Sequence, residues 1–145
     1  MGGLRKRKNK GFFSIDALLA LMLLLMVSTS FLNLYEKRKR SAESIGTNLE
    51  AKMVGDKLAA AIDTVYVNGP NFRLSLELPE NVGAFSYRIR SDNLARLIII
   101  ENPNCEPVKA LLICKNFKNF VLDRENLGKR IQIFWENSQI WIVTR

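Results

Sequence analysis

Hydrophobic residues follow three successive patterns along this chain of 145 residues. From Phe12 to Tyr35 the pattern is nearly continuous, and Asp16 is the only charged residue in the stretch. A helix over these positions reaches about 36 Å, whereas the hydrocarbon core of a bilayer is about 30 Å thick. The first pattern therefore predicts a membrane-spanning helix over residues 12–35.

The second pattern has a helical period and covers residues 36–67. Apolar residues recur there at intervals of three and four, first at Ile45, Leu49 and Met53 and then at Val54, Leu58, Ile62 and Val65. This spacing predicts an amphipathic continuation of the same helix, with one apolar stripe for packing. The Asn-Gly-Pro sequence at 68–70 is a helix stop signal. Gly46 and Gly55 are weak positions at which the helix is expected to bend.

The third pattern has a period of two and begins after the Asn-Gly-Pro sequence. Apolar and polar residues alternate over 72–78 and again over 85–89, which is typical of strands with one buried face. The isoleucine run at 98–100 predicts a central strand packed against the helix. Residues 136–139 are predicted to join the last two strands as a hairpin loop. Residues 68–145 should thus form an antiparallel β-sheet head domain, and the fold class is α+β.

Charge is concentrated at the start of the chain. The net charge is +8, but five basic residues lie within residues 1–11, which contain no acid, so the remainder carries only +3. A basic flank favours the cytoplasmic side of a membrane, so we expect the N-terminus to be cytoplasmic. A second basic cluster at 37–40 is offset by Glu36 and Glu43. Because the excess is not spread over the folded part, we expect no nucleic-acid partner.

The composition also argues against an enzyme. The chain has no histidine, which is the commonest general base and the commonest metal ligand. No pairing of a nucleophile with a base, and no acidic pair, stands out in the sequence. We therefore expect no catalytic residues, no metal and no cofactor.

Two cysteines, Cys105 and Cys114, enclose eight residues in the part predicted to lie outside the membrane. A disulfide between them is one interpretation, because an extracytoplasmic compartment permits it and a short loop is readily closed. Two buried free thiols that pack as small apolar groups are the other. Trp135 and Trp141 flank the last hairpin; we expect them in the core, the other interpretation being an exposed adhesive surface.

A conventional signal peptide is a poor match to the first part of the chain. Its apolar region is shorter, typically about 7 to 15 residues, and ends at a cleavage site of small residues. The Ser-Thr-Ser sequence at 28–30 only loosely fits such a site. We therefore expect the apolar segment to stay on the protein.

The order of these parts resembles type IV pilins and the pilin-like proteins of archaea. The matching residues are Lys10 and Gly11 before the junction, Phe12 as the first mature residue, Asp16 as the fifth, and the apolar run from Ala17. The resemblance implies that a prepilin peptidase removes the basic leader, residues 1–11, by cutting between Gly11 and Phe12. The chain departs from the family at two positions, since bacterial members usually have glutamate fifth and many archaeal members have glutamine first.

Cleavage at this junction would create a new α-amine on Phe12, four residues before Asp16. An ammonium and a carboxylate near hydrocarbon are each costly alone and tolerable when paired. A pair formed between neighbouring subunits would fix their axial register, and their apolar helices could then pack as a bundle. Repeated heterologous contacts of this kind produce a helical filament.

These expectations describe a structural protein: a major or minor pilin of a type IV pilus-like surface filament. Its expected partners are the prepilin peptidase, the membrane before assembly, and copies of itself or other pilins at the cell surface. The alternative is a single-pass, membrane-anchored extracytoplasmic binding module that does not polymerise. In that case Asp16 is only an acid that the helix macrodipole favours in the first turn.

Overall fold

A computed structural model describes residues 15–103 and 105–145 of the chain. It contains helix α1 (Ile15–Asn68) and strands β1 (Arg73–Glu77), β2 (Arg88–Asp92), β3 (Leu97–Glu101), β4 (Val108–Leu111), β5 (Val121–Leu122), β6 (Arg130–Glu136) and β7 (Gln139–Thr144). The chain divides into two compact units, of which the first ends at Arg40 and the second covers Ser41–Arg145. The predicted junction residues Lys10, Gly11 and Phe12 lie outside the described residues.

The helix ends at the Asn-Gly-Pro sequence, as predicted. Gly69 follows the last helical residue with φ at +78°, a left-handed conformation that glycine adopts without steric cost. Its N–H donates to the carbonyl of Val65 at 3.1 Å, which satisfies one of the carbonyls left free at a helix end. The Asn-Gly pair therefore closes α1 and turns the chain toward β1.

The predicted α+β class is confirmed, because one long helix packs on antiparallel strands. The strands form two sheets and not one: a three-stranded sheet in the order β1-β6-β7 and a four-stranded sheet in the order β4-β3-β2-β5. The last hairpin also has a shorter loop than predicted, since Glu136 pairs with Gln139 and only Asn137 and Ser138 lie between them. Both loop residues have positive φ, at 50° and 63°, as a type I′ turn requires.

The strand predicted over 85–89 begins three residues later than expected. Residues 82–85 form a tight turn in which Val82 and Phe85 exchange backbone hydrogen bonds at 3.0 and 3.2 Å. Gly83, within this turn, has φ at +60° and donates its N–H to Glu50 of α1 at 2.6 Å. The turn is thus held on the helix, and strand pairing starts only after it.

The core lies between the buried face of α1 and the inner faces of both sheets. Leu58, Ile62 and Val65 of the helix are fully buried. The facing strand residues are isoleucines: Ile89, Ile98, Ile100, Ile131, Ile133 and Ile140. The predicted central strand is confirmed, because β3 lies between β2 and β4 and buries Ile98 and Ile100.

Gly55 is a point of close approach and not only a weak position in the helix. A Cβ atom added there would lie 2.8 Å from Cδ1 of Ile100 and 3.2 Å from Cβ of Ala110. A Cβ atom at this position would require Ile100 to turn its Cδ1 away and Ala110 to shift by a few tenths of an ångström, so the four-stranded sheet packs closely on α1 here. At Gly46, by contrast, an added Cβ would meet no atom within 4 Å.

The segment from Cys105 to Cys114 runs beside α1 and contacts it at three levels. The Cys105 sulfur lies 4.0 Å from the Ser44 hydroxyl, and the Lys52 ammonium donates to the carbonyl of Lys109 at 3.0 Å. Asp63 accepts hydrogen bonds from the backbone N–H groups of Ile113 and Cys114 at 3.0 to 3.2 Å. These contacts attach the edge strand β4 and its flanks to the helix.

Candidate functional site

The apolar segment of α1 is uncovered along its described length. Every residue from Ile15 to Tyr35 is exposed, and large side chains such as Leu24 and Phe31 are 66% and 67% exposed. The mean hydropathy reaches 2.2 over 18 residues, and none of that window is buried. The helix is long and apolar enough to cross a membrane. A surface of this kind requires lipid or other protein to cover it.

Asp16 lies in the first turn of α1 and is exposed. It is the only charged residue between Ile15 and Tyr35. A carboxylate in the first turn of a helix is favoured by the macrodipole by about 0.3 to 1 kcal/mol. The structure thus places the predicted assembly residue at the start of the described helix, while its expected partner on Phe12 lies outside the described residues.

Two hydroxyl groups inside the apolar segment are hydrogen-bonded to the helix itself. Thr29 donates to the carbonyls of Leu25 and Met26 at 2.9 Å, and Ser30 donates to the carbonyl of Met26 at 2.8 Å. Side-chain hydroxyls bonded in this way do not need water. The Ser-Thr-Ser sequence is helical, and its Thr29 and Ser30 are compatible with an apolar surrounding.

The basic cluster after the apolar segment adds little internal stability. Arg40 and Glu36 form an ion pair one helical turn apart at 3.8 Å, and both side chains are largely exposed. Exposed pairs of this kind contribute about 0 to 1 kcal/mol. Lys37, Arg38 and Lys39 are also exposed, so this cluster presents its charge to the surroundings.

The predicted apolar stripe of residues 36–67 divides into two faces. Ile45, Leu49 and Met53 are exposed at 58%, 60% and 71%, whereas the remaining stripe residues face the core. Each of the three lies nine residues, about two and a half helical turns, before a buried residue on the opposite face. The single-residue step from Met53 to Val54 turns the stripe by about 100°, so the two sets cannot share a face. We call these three residues the apolar ridge.

Cys105 and Cys114 are both free thiols in the structure, which corresponds to the second of the two interpretations of the sequence. The sulfur of Cys105 is near Ser44, and the backbone N–H of Cys114 contacts Asp63. Those helix positions are nineteen residues apart, which is about 28 Å along α1. A disulfide needs Cα atoms within about 7 Å. The residues between the cysteines form extended structure beside the helix instead of a closed loop, which keeps the sulfurs apart.

Thiol labelling of the folded chain should separate the two cysteines. We expect Cys105, which is half-buried, to react with a maleimide at least about 100-fold faster than Cys114, whose reaction requires opening of the core. Burial raises the pKa of the Cys114 thiol, and the nearby Asp63 charge raises it further, while a backbone hydrogen bond at Asn116 opposes both. Cys105→Ser should abolish the fast phase, and an unreduced mass lower by two hydrogen atoms would contradict the assignment.

The tryptophans do not both join the core. Trp135 is half-buried and packs against the core cluster. Trp141 is half-buried outside that cluster, and the Lys118 ammonium lies 3.7 Å from the centre of its ring. The expectation of two core tryptophans is therefore wrong for Trp141.

The described residues do not assemble a metal centre. Within 15–103 and 105–145, no group of three histidine, cysteine, aspartate or glutamate side chains is placed to hold an ion.

Comparison with protein-family models, with curated proteins and with solved structures finds no match to this chain.

Proposed function

We propose that this chain is a structural subunit of a type IV pilus-like filament, matured by cleavage between Gly11 and Phe12. The observation that carries the proposal is the exposed apolar segment of α1, with Asp16 as its only charge, preceding a unit that has its own core. The leader, junction and first-turn acid occur in the order that the pilin resemblance requires.

The apolar segment suits two successive surroundings. Its length suits a membrane before assembly. Its surface of leucine, methionine and phenylalanine can equally be covered by the same helix of other copies, because helices lose little when they exchange lipid for protein contacts. The self-satisfied hydroxyls of Thr29 and Ser30 impose no need for water in either surrounding.

Asp16 supplies the specific contact in this proposal. The α-amine created on Phe12 would lie four residues earlier in the sequence than Asp16. A carboxylate of one subunit that meets the amine of the next neutralises two charges that are costly near hydrocarbon. Every subunit carries both groups, so each new contact presents the next one, and the assembly continues as a filament.

The apolar ridge favours a filament subunit over a solitary anchored module. Ile45, Leu49 and Met53 lie beyond the apolar segment and the basic cluster, where a single-pass protein would expose them to water. An apolar surface that recurs along one helix face is typical of protein contacts. Packing against neighbouring copies would cover this ridge together with the apolar segment.

N-terminal sequencing of the full chain, expressed in membranes with an active prepilin peptidase, tests the proposal. The mature protein should begin at Phe12. Gly11→Val should block cleavage, because the resemblance places the cut after a glycine, whereas Gly3→Val in the same leader should be processed normally. A protein that still begins at Met1 or Gly2 would contradict the proposed maturation, and a processed protein that remains monomeric would favour the anchored binding module.

A further inference from the structure

A cleft lies at the end of the β6–β7 hairpin, next to the turn that closes α1. Its volume is about 330 Å³. It is lined by Pro70, Asn116, Trp135, Glu136, Asn137 and Ser138. Small-molecule sites usually occupy about 300 to 1,000 Å³ and combine an aromatic surface with a few polar groups. This cleft has both properties at the lower end of that size range, which suits a ligand no larger than one ring.

The aromatic surface of the cleft is held in place before any ligand arrives. The indole N–H of Trp135 donates to the carbonyl of Val65 at 2.9 Å. Its ring stacks on Tyr66 with centroids 5.9 Å apart and an angle of 23° between the planes. A ring fixed by both a hydrogen bond and a stacking partner loses little freedom when a ligand binds. Trp135 therefore lines the cleft with a ring whose position is already fixed.

The lining of the cleft includes four polar residues, of which Glu136 is the only charged one. Among the lining residues, Asn116 and Asn137 have amide side chains, Ser138 has a hydroxyl, and Glu136 has a carboxylate. Together these groups both donate and accept hydrogen bonds, as the hydroxyls of a sugar do. The lining contains no basic side chain, so it does not favour an anion. The combination suits a ligand with one apolar ring face and a polar edge.

Three non-glycine residues in or beside the cleft lining have a left-handed backbone conformation. Four non-glycine residues among those described have positive φ, and three of them, Asn71, Asn137 and Ser138, are in the lining or adjoin it. The second position of a type I′ turn favours glycine, so serine there carries a conformational cost. Strained residues of this kind concentrate at binding sites. At Ser138 the cost keeps a hydroxyl group at the rim that glycine would lack.

We propose that this cleft binds a single neutral pyranose ring, such as the terminal sugar of a glycan. The C–H face of the ring stacks on Trp135, and its hydroxyls bond the amides, the Ser138 hydroxyl and the Glu136 carboxylate. This binding site is independent of filament assembly and would be present in a monomer as well. The tip of the last hairpin is thereby assigned a monosaccharide ligand.

Titration of the full chain with monosaccharides tests the proposal directly. The protein is kept in a detergent without a sugar headgroup and followed by the indole N–H resonances of its two tryptophans. Glucose, galactose, mannose and N-acetylglucosamine are the probes, and at least one should shift the Trp135 resonance with a dissociation constant of about 1 to 10 mM. The Trp141 resonance should shift less, and the acyclic alditol sorbitol, which has no ring face, should shift neither.

Two matched substitutions separate binding from folding. Ser138→Gly removes the hydroxyl and relieves the turn, so we expect sugar affinity to fall about fivefold or more while thermal stability is retained or increased. Arg96→Gly relieves a positive φ in the β2–β3 turn, outside the cleft lining, and should leave sugar affinity unchanged. Trp135→Leu should abolish binding.

Several outcomes would overturn the proposal. One is the absence of any Trp135 shift with all four sugars. A second is an equal shift with sorbitol, which would mean that the ring face is not recognised. A third is unchanged affinity in Ser138→Gly. A Trp135 shift produced by a proline-rich peptide and by none of the sugars would assign the cleft to a protein partner instead.

Discussion

Asp16→Ala is expected to abolish filament assembly while membrane insertion and leader removal continue. In the proposed filament, each subunit contact would retain an ammonium near hydrocarbon without its carboxylate. Removing one member of such a pair costs about 3 to 5 kcal/mol. This corresponds to more than about 100-fold in affinity at each contact. Because a filament repeats the contact in every subunit, no measurable polymer should remain.

Filaments sheared from cells and sedimented provide the measurement, with N-terminal sequencing of the membrane fraction to show that processing is intact. Asp16→Glu keeps the charge and should retain part of the assembly. Asp56→Ala removes a different exposed acid of α1, one paired with Lys52 at 2.9 Å, and should assemble normally. Normal filaments from Asp16→Ala would support the simpler interpretation, in which Asp16 is only a favourable first-turn acid of an anchored module.

Gly55→Val is expected to lower the free energy of unfolding by about 1 to 3 kcal/mol. The first added carbon already meets Ile100 at 2.8 Å and Ala110 at 3.2 Å, and both partners are about 1% exposed. Ala110 cannot move its Cβ without moving strand β4. Replacing glycine in a helix normally gains a few tenths of a kcal/mol to about 1 kcal/mol, which is too small to offset the overlap.

Chemical denaturation of the two variants in the same detergent measures this effect. Gly46→Val is the matched control, because the same change is made in the same helix at a position with no atom within 4 Å of the new Cβ. We expect the control to lie within about 0.5 kcal/mol of the parent chain. Equal stabilities for the two variants would show that α1 and β4 can separate without cost.

The element types were predictable because each has a distinct hydrophobic period. The helical spacing after residue 36 and the alternation after residue 70 are long enough to be read reliably, and Asn-Gly-Pro at 68–70 is a strong stop signal. The division into two sheets was not predictable, since alternation shows which residues face inward but not which strand pairs with which. The early turn at 82–85 depends on Glu50, which is distant in sequence.

The candidate sites were predictable to different degrees. The leader, junction and Asp16 form a local motif, so sequence alone suggested them. The sequence left the pairing of the cysteines open, because the eight residues between them are short in sequence, whereas the extended segment beside α1 separates them in space. The cleft at Trp135 was missed because Val65, Asn116 and Ser138 come from separate parts of the chain. The one available signal was serine in a turn position that favours glycine.

The attachment of residues 105–114 to α1 has a mechanical consequence. The contacts at Ser44, Lys52 and Asp63 are spaced along the helix axis, and the attached segment runs in the same direction. A pull along α1 therefore loads all three contacts at once, in shear, and they cannot be peeled apart one at a time. Tension in the helix would be shared with the four-stranded sheet. The helix and the sheet would therefore resist stretching together.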